Sequence, residues 1–193
     1  MNSTKLEEEL TSHTRIMEET VVQCSPVIRA IAESLVECFR QGNKVMLCGN
    51  GGSAADSQHM VAEFVNRFRI DRAALPAIAL TVDTSILTAI GNDSSYEYTF
   101  SRQVEALGRP GDTLAAISTS GGSPNVLKAL EVAHERGVKT IGFTGEKGRL
   151  TMAPKCDLCL VVPSADTPRV QEVHEFVWHV LCGMVEQALF GMD

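Results

Sequence analysis

The 193-residue chain predicts a single α/β domain: a doubly wound, five-stranded parallel sheet with a helical hairpin before it and a long helix after it. Three observations carry that expectation. Short apolar runs recur with helical stretches between them, the alternation of strand and crossover helix. The runs are continuously apolar, as strands covered on both faces are. Finally, 44% hydrophobic against 21% charged residues is the balance of a chain that can bury a sizeable core.

Two amphipathic patterns, over 5–23 and 26–41, open the chain. Their combined length exceeds what one crossover needs, so they are read as a helical hairpin. The strand runs follow as KVMLCG (44–49), AIALTV (77–82), TLAAIS (113–118), KTIGFTG (139–145) and LCLVVP (158–163). Thr167 then reads as an N-cap with Pro168 at the first helical position, and the helix should run to about Leu189. Its buried face is expected to carry Val170, Val173, Val177, Leu181 and Val185. The chain thus divides into N-terminal oligomerisation helices (1–42), an α/β core (43–165) and a C-terminal helix (166–193), with no linker long enough to make a second domain. Helices at both ends exceed the sheet's own need for cover and are expected to pack against other subunits, as a homo-oligomer.

Seventeen basic against 24 acidic side chains give a net charge of -7, which argues against nucleic acid or anionic membrane as a partner. No run approaches the roughly 18 apolar residues of a membrane span. The N-terminus, MNSTKLEEELTSHTR, is polar and acidic where a secretory signal is basic and then apolar, so a cytoplasmic protein is expected. Cysteines 24, 38, 48, 156, 159 and 182 sit mostly in apolar runs and are read as reduced. Cys156 and Cys159 form a CxxC inside CDLCLVV, where residues three apart on a strand face opposite ways, so neither zinc nor redox chemistry is expected there.

Ligands of parallel sheets bind beyond the carboxyl ends of the strands, and two loops there carry the functional signal. CGNGGSAADSQHMVAEF (48–64) passes from strand to helix through three glycines, leaving free amides at a helix start. It lacks the Gly-Lys-Ser/Thr of a P-loop. Gly49-x-Gly51-x-x-Ala54 matches the looser dinucleotide fingerprint, and Asp83 could serve as its ribose-binding acid, but alone the match is weak. ISTSGGSPNVLKAL (117–130) sets Ser118, Thr119 and Ser120 before Gly121 and Gly122, with Ser123 as N-cap and Pro124 at the first helical position. Hydroxyls and open amides at a helix start make a neutral phosphate cradle, although serines also serve simply as caps. A dinucleotide has no use for a second such loop, so a phosphosugar is the better ligand.

Strand-CGNGGS-helix, strand-STSGGS-helix and the C-terminal RVQEVHEFVWHVLC together resemble the sugar isomerase (SIS) family, with its flavodoxin-like sheet, over nearly the whole chain. Within it, the likeness is to the members that isomerise sedoheptulose 7-phosphate. That resemblance implies Zn2+, one ion per subunit, on the residues matching His59, Glu63, Gln171 and His179. It also implies substrate contacts from Asn50, Gly51, Gly52, Asn92 and Asp93, and a tetramer with shared active sites. His59 and Glu63, four apart, share one helix face; alone, such a pair is more often a surface ion pair.

A ketose to aldose isomerisation needs a base, an acid and something to stabilise the enediolate; Glu63 and His179 are the candidates for proton transfer. Ser53, Arg67, Ser118, Thr119, Ser120, Ser123, Gln171 and Glu63 itself complete the expected substrate-binding set. Arg67 could equally be solvated, and Asn92 and Asp93 could be turn formers. His174 is read as structural and Trp178 as packing at an interface. One departure from the family pattern is that Ala62 and Phe64 flank Glu63 where an extra acid is often seen. Gln171 and His179, if helical throughout, lie about 12 Å apart along the axis and roughly 80° apart around it. A shared metal would then need a helix that begins after Gln171 or ligands from two chains, and the second is the expectation. The alternatives are a DiaA-type regulator that binds the replication initiator DnaA, and an isomerase of another phosphosugar.

Overall fold

The computed structural model describes residues 3–191; residues 1, 2, 192 and 193, at the outer ends of the expected terminal segments, lie outside the described residues. In chain order come α1 (Ser3–Arg40), β1 (Val45–Gly49), α2 (Gly52–Val65), β2 (Ala77–Ala79), α3 (Thr84–Asp93) and α4 (Ser101–Leu107). These are followed by β3 (Thr113–Ile117), α5 (Pro124–Glu135), β4 (Lys139–Gly145), β5 (Leu158–Val162) and α6 (Thr167–Phe190). All five apolar runs form strands, paired in parallel in the order β2-β1-β3-β4-β5. Chain direction across the sheet reverses between β1 and β3, so the loops leaving these two strands open side by side.

The two-residue period of the strands sorts their side chains into two cores. Val45, Leu47, Ile117 and Phe143 join α1, α2 and α6 on one face. Met46, Cys48, Leu114 and Ala116 join α4 and α5 on the other.

The expected N-terminal hairpin is corrected to one helix: α1 spans both amphipathic patterns with Pro26 inside it. An interior proline costs about 3 kcal/mol, whereas each fully buried aliphatic side chain contributes roughly 1.5–3 kcal/mol. Burial of Ile31 and Leu35, both completely buried beyond the proline, offsets that cost and lets the helix continue against α6 and β5. The run 77–82 is a strand only over Ala77–Ala79. Asp166, not Thr167, is the cap residue of α6, one position earlier than expected, while Val170, Val173, Val177, Leu181 and Val185 are all buried as the periodicity requires.

Trp178 is a second correction. It is fully buried inside the chain's own core and stacks on Phe143 with ring centroids 4.5 Å apart, so it is not an interface residue. The third concerns the CxxC. Strand β5 begins at Leu158, so Cys156 is not on it, and the two side chains do not face opposite ways. Both sulfurs gather over bare Gly142, where a Cβ would lie 2.6 Å from Cys156 Sγ and 2.8 Å from Cys159 Sγ. All six cysteines are free thiols.

Candidate active site

Helices α2 and α6 lie against each other on one face of the sheet and turn two polar stripes together. Gly52, Asp56, His59 and Glu63 recur at steps of three or four on α2, and Gln171, Glu175 and His179 at steps of four on α6, so each set occupies one side of its helix. Contact runs along the stripes in order. Gln171 Nε2 donates to Asp56 Oδ1 at 3.3 Å and Oδ2 at 3.2 Å. His59 Nδ1 is 3.5 Å from Glu175 Oε1, and His59 Nε2 is 3.3 Å from Glu63 Oε1. The His59 and His179 rings meet edge to face with centroids 5.1 Å apart, and Phe68 stacks on the far side of His179 at 5.7 Å.

Two of the four expected metal ligands, His59 and His179, therefore meet within one chain, and Glu63 touches the pair through His59. Gln171, another of the four, donates through its amide nitrogen to Asp56. The alternative of a helix that begins after Gln171 is removed, since α6 is continuous from Thr167. Sequence reasoning missed Glu175. The ligand atoms of His59, Glu175 and His179 all lie within 4.8 Å of one another, a nitrogen and oxygen donor set that fits a divalent cation. The signal was present, since Glu175 precedes His179 by the same four residues that separate His59 from Glu63.

Behind the crevice, a buried pair fixes the end of α2. Arg72 donates to the carbonyls of Glu63 and Phe64, both at 2.7 Å, satisfying acceptors that the end of the helix leaves open. Its Nε also pairs with Glu186 Oε1 at 3.2 Å. Glu186 in turn accepts from the amides of Phe68, Arg69 and Ile70. Burial pushes the Glu186 carboxyl up, but those three amides and Arg72 outweigh it and hold the group below its ordinary range. The segment that carries Phe68 to His179 is thereby tied to α6.

The β3 loop is neutral. Ser118 is buried; its Oγ lies 3.0 Å from Ser123 Oγ and accepts from the Gly121 amide at 3.1 Å. Ser123 is the cap residue of α5 with Pro124 beside it, as expected, although its hydroxyl goes to Ser118 and makes no capping bond. Thr119 is half-buried and gives its carbonyl to the Gly145 amide, and Ser120 Oγ accepts from the Gly122 amide. Gly121 has φ +65°, and a Cβ there would lie 2.3 Å from Gly148 Cα, so no other residue fits. The two loops are tied by a reciprocal amide pair, Asn50 to Asn125, with both bonds at 2.9 Å. Asn125 is a further residue missed in the sequence, where it reads as an ordinary first-turn polar residue.

The remaining candidates stand apart. Gly51 is the cap residue of α2 and Ser53 is buried in its first turn. Arg67 is exposed just past α2. Asn92 and Asp93 end α3, exposed, with their side chains bonded to each other. Asp83 is used as the N-cap of α3, accepting from the Ile86 amide at 2.9 Å. His174 is wholly buried, as its structural reading requires; burial pushes it down to about 4, with a smaller opposing contribution from the Thr144 backbone.

The SIS domain family model matches residues 10–145. Phosphoheptose isomerase of Roseiflexus sp. (strain RS-1) is 56% identical over 183 residues, 95% of this chain and 92% of that protein. Among solved structures, phosphoheptose isomerase GmhA from Neisseria gonorrhoeae superposes with a TM-score of 0.91 at 39% identity, covering 96% of this chain and 98% of that one. A phosphoheptose isomerase from Francisella tularensis gives 0.91 at 37% identity, covering 97% and 100%.

Proposed function

The chain belongs to the SIS family and, within it, to the phosphoheptose isomerases, and from that premise we propose that it converts sedoheptulose 7-phosphate to D-glycero-D-manno-heptose 7-phosphate through an enediolate. The observation that carries the reading is the run of contacts from Glu63 through His59 to His179 between α2 and α6 in a chain this similar to those isomerases.

In the proposed reaction Glu63 takes the proton from C1 of the ketose and His179 returns one to C2. A divalent cation, zinc by the nitrogen and oxygen character of the donors, would supply Lewis-acid stabilisation of negative charge developing on the sugar oxygens. His59, His179, Glu63 and Gln171 would hold it, with Glu175 offering a further carboxylate beside His59. The phosphate would rest on the Thr119, Ser120 and Ser123 hydroxyls and the open amides of the β3 loop, which needs no cation and agrees with the chain's net charge of -7. Asn50, Gly51, Gly52, Ser53 and Ser118 shape the sugar pocket; Arg67, Asn92 and Asp93 would reach it as the oligomer closes.

We read the working unit as a tetramer with shared active sites. Leu6, Leu10, Val22 and Phe176 leave apolar surface open on α1 and α6. The crevice is open too, with Glu175 48% and His59 39% exposed, and a neighbouring subunit would close it. Mixing a Glu63→Gln protein with an Asp93→Ala protein tests the sharing: recovered activity supports it, and none means that Asp93 does not serve a neighbour's site. The enzyme would act in the cytoplasm, where phosphosugars are held, and its product would feed nucleotide-activated heptose for lipopolysaccharide or surface glycans.

The deciding experiment incubates the purified protein with sedoheptulose 7-phosphate, with and without chelator. Aldose product that is lost on chelation and restored by zinc is expected; no aldose under any of these conditions overturns the reading. Hexose and pentose ketose phosphates run in parallel settle the chain length.

A further inference from the structure

Asp56 is a carboxylate that stability alone does not explain. It is only 7% exposed, on the second turn of α2, and among the described residues its side-chain hydrogen bonds go to one neutral group, the Gln171 amide. Burying a carboxylate without a cationic partner is costly, and such groups concentrate at functional sites.

The Gln171 amide is fitted into its place from two sides. One turn before Asp56 on the same stripe is Gly52, where a Cβ would lie 2.2 Å from Gln171 Nε2 and 2.7 Å from Oε1. The bare glycine lets the amide lie against the start of α2, and Asp56 receives its N–H groups. An ionised carboxylate only accepts, so it selects one of the two faces an amide can present. The nitrogen is committed to Asp56, and Oε1 is the atom left to face a ligand.

We propose that Asp56 is a positioning residue that locks the Gln171 amide with its carbonyl oxygen available to the metal or substrate, in a slot that Gly52 keeps open. The inference rests on the reading above that Gln171 is part of the ligand set. It gives the third glycine of the CGNGGS loop a task separate from phosphate binding, which is to admit a side chain from α6.

The test measures zinc affinity by competition against a chromophoric chelator in wild type, Asp56→Asn, Asp56→Ala, Gln171→Ala and the two double variants, with melting temperature and kcat and KM recorded for each. Asparagine keeps the shape but can donate as well as accept, so it no longer selects one orientation of the amide and opens no hole. Loss of an outer-shell partner typically weakens metal binding about 10–100-fold, and that is expected for both Asp56 variants. The double variants should bind zinc no more weakly than Gln171→Ala alone, and the loss should appear in kcat. Having two Asp56 substitutions keeps the cycle readable if one of them lowers the melting temperature. Wild-type affinity in the Asp56 variants while Gln171→Ala is weakened overturns this proposal and leaves the ligand reading standing. Additive losses overturn it as well. Unchanged zinc affinity in Gln171→Ala refutes the ligand reading, and this inference with it.

Discussion

The loops after β1 and β3 begin alike, each turning from a buried strand through glycines into a helix, and they deliver opposite chemistry. The first feeds α2, whose stripe of Asp56, His59 and Glu63 meets Gln171, Glu175 and His179 on α6. The second presents hydroxyls and amides that already satisfy one another, with no ionisable side chain from Ser118 to Ser123. In the proposed reaction, charge that must change is thus kept on two packed helices, where rigid elements hold it, and the phosphate would be met by neutral groups at a helix start, where binding it needs no counter-ion.

The largest expected effects break the charged half. Glu63→Gln and His179→Gln should each lower kcat by about 10²–10⁴-fold while leaving the melting temperature near wild type, as measured in steady-state assays beside thermal scans. Glu186→Ala should destabilise the protein by about 3–5 kcal/mol in urea unfolding, because it leaves Arg72 buried and unpaired and frees the amides of Phe68, Arg69 and Ile70. Activity should fall with it, since Phe68 and the end of α2 lose their tie to α6.

His174 and His179, five residues apart on α6, sharpen the contrast between a buried histidine and the one proposed to transfer protons. Buried His174 titrates near 4 instead of the usual 6.5, so the unfolded chain takes up its proton first. The stability it contributes is complete above about pH 6.5 and is lost progressively as the pH falls toward about 4, amounting to about 3 kcal/mol. His174→Met should flatten that part of the stability curve, as read from unfolding midpoints across the range.

The smallest effects belong to the neutral loop. Thr119→Ala, Ser120→Ala and Ser123→Ala should each cost about 1 kcal/mol of binding, raising KM roughly fivefold with kcat little changed. A fall in kcat instead would mean that the two loops do not divide the work in this way.

What the sequence made legible was local. Continuous apolar runs placed the strands, and hydroxyl residues followed by glycines placed the β3 loop, because strand burial and turn chemistry are written in neighbouring residues. The unbroken α1 was not legible, since whether a helix continues past Pro26 is settled by what Ile31 and Leu35 find to pack against. The meeting of Cys156 and Cys159 over Gly142 depended on where β5 begins. Asp56, Asn125 and Glu186 looked like ordinary helix residues, and their partners are far along the chain. Glu175 was within reach, because its spacing to His179 repeats that of His59 to Glu63.

The central claim is that Glu63 and His179 move protons between the sugar and the site. Turnover of sedoheptulose 7-phosphate in deuterium oxide, followed by NMR of the heptose 7-phosphate formed, tests it most directly. Solvent deuterium at C2 of the product is expected, through an enediolate whose proton exchanges with water. Product formed at full rate with no solvent deuterium would mean that the hydrogen removed from C1 is itself returned to C2, by one base or directly, and would contradict a proton taken by Glu63 and another returned by His179.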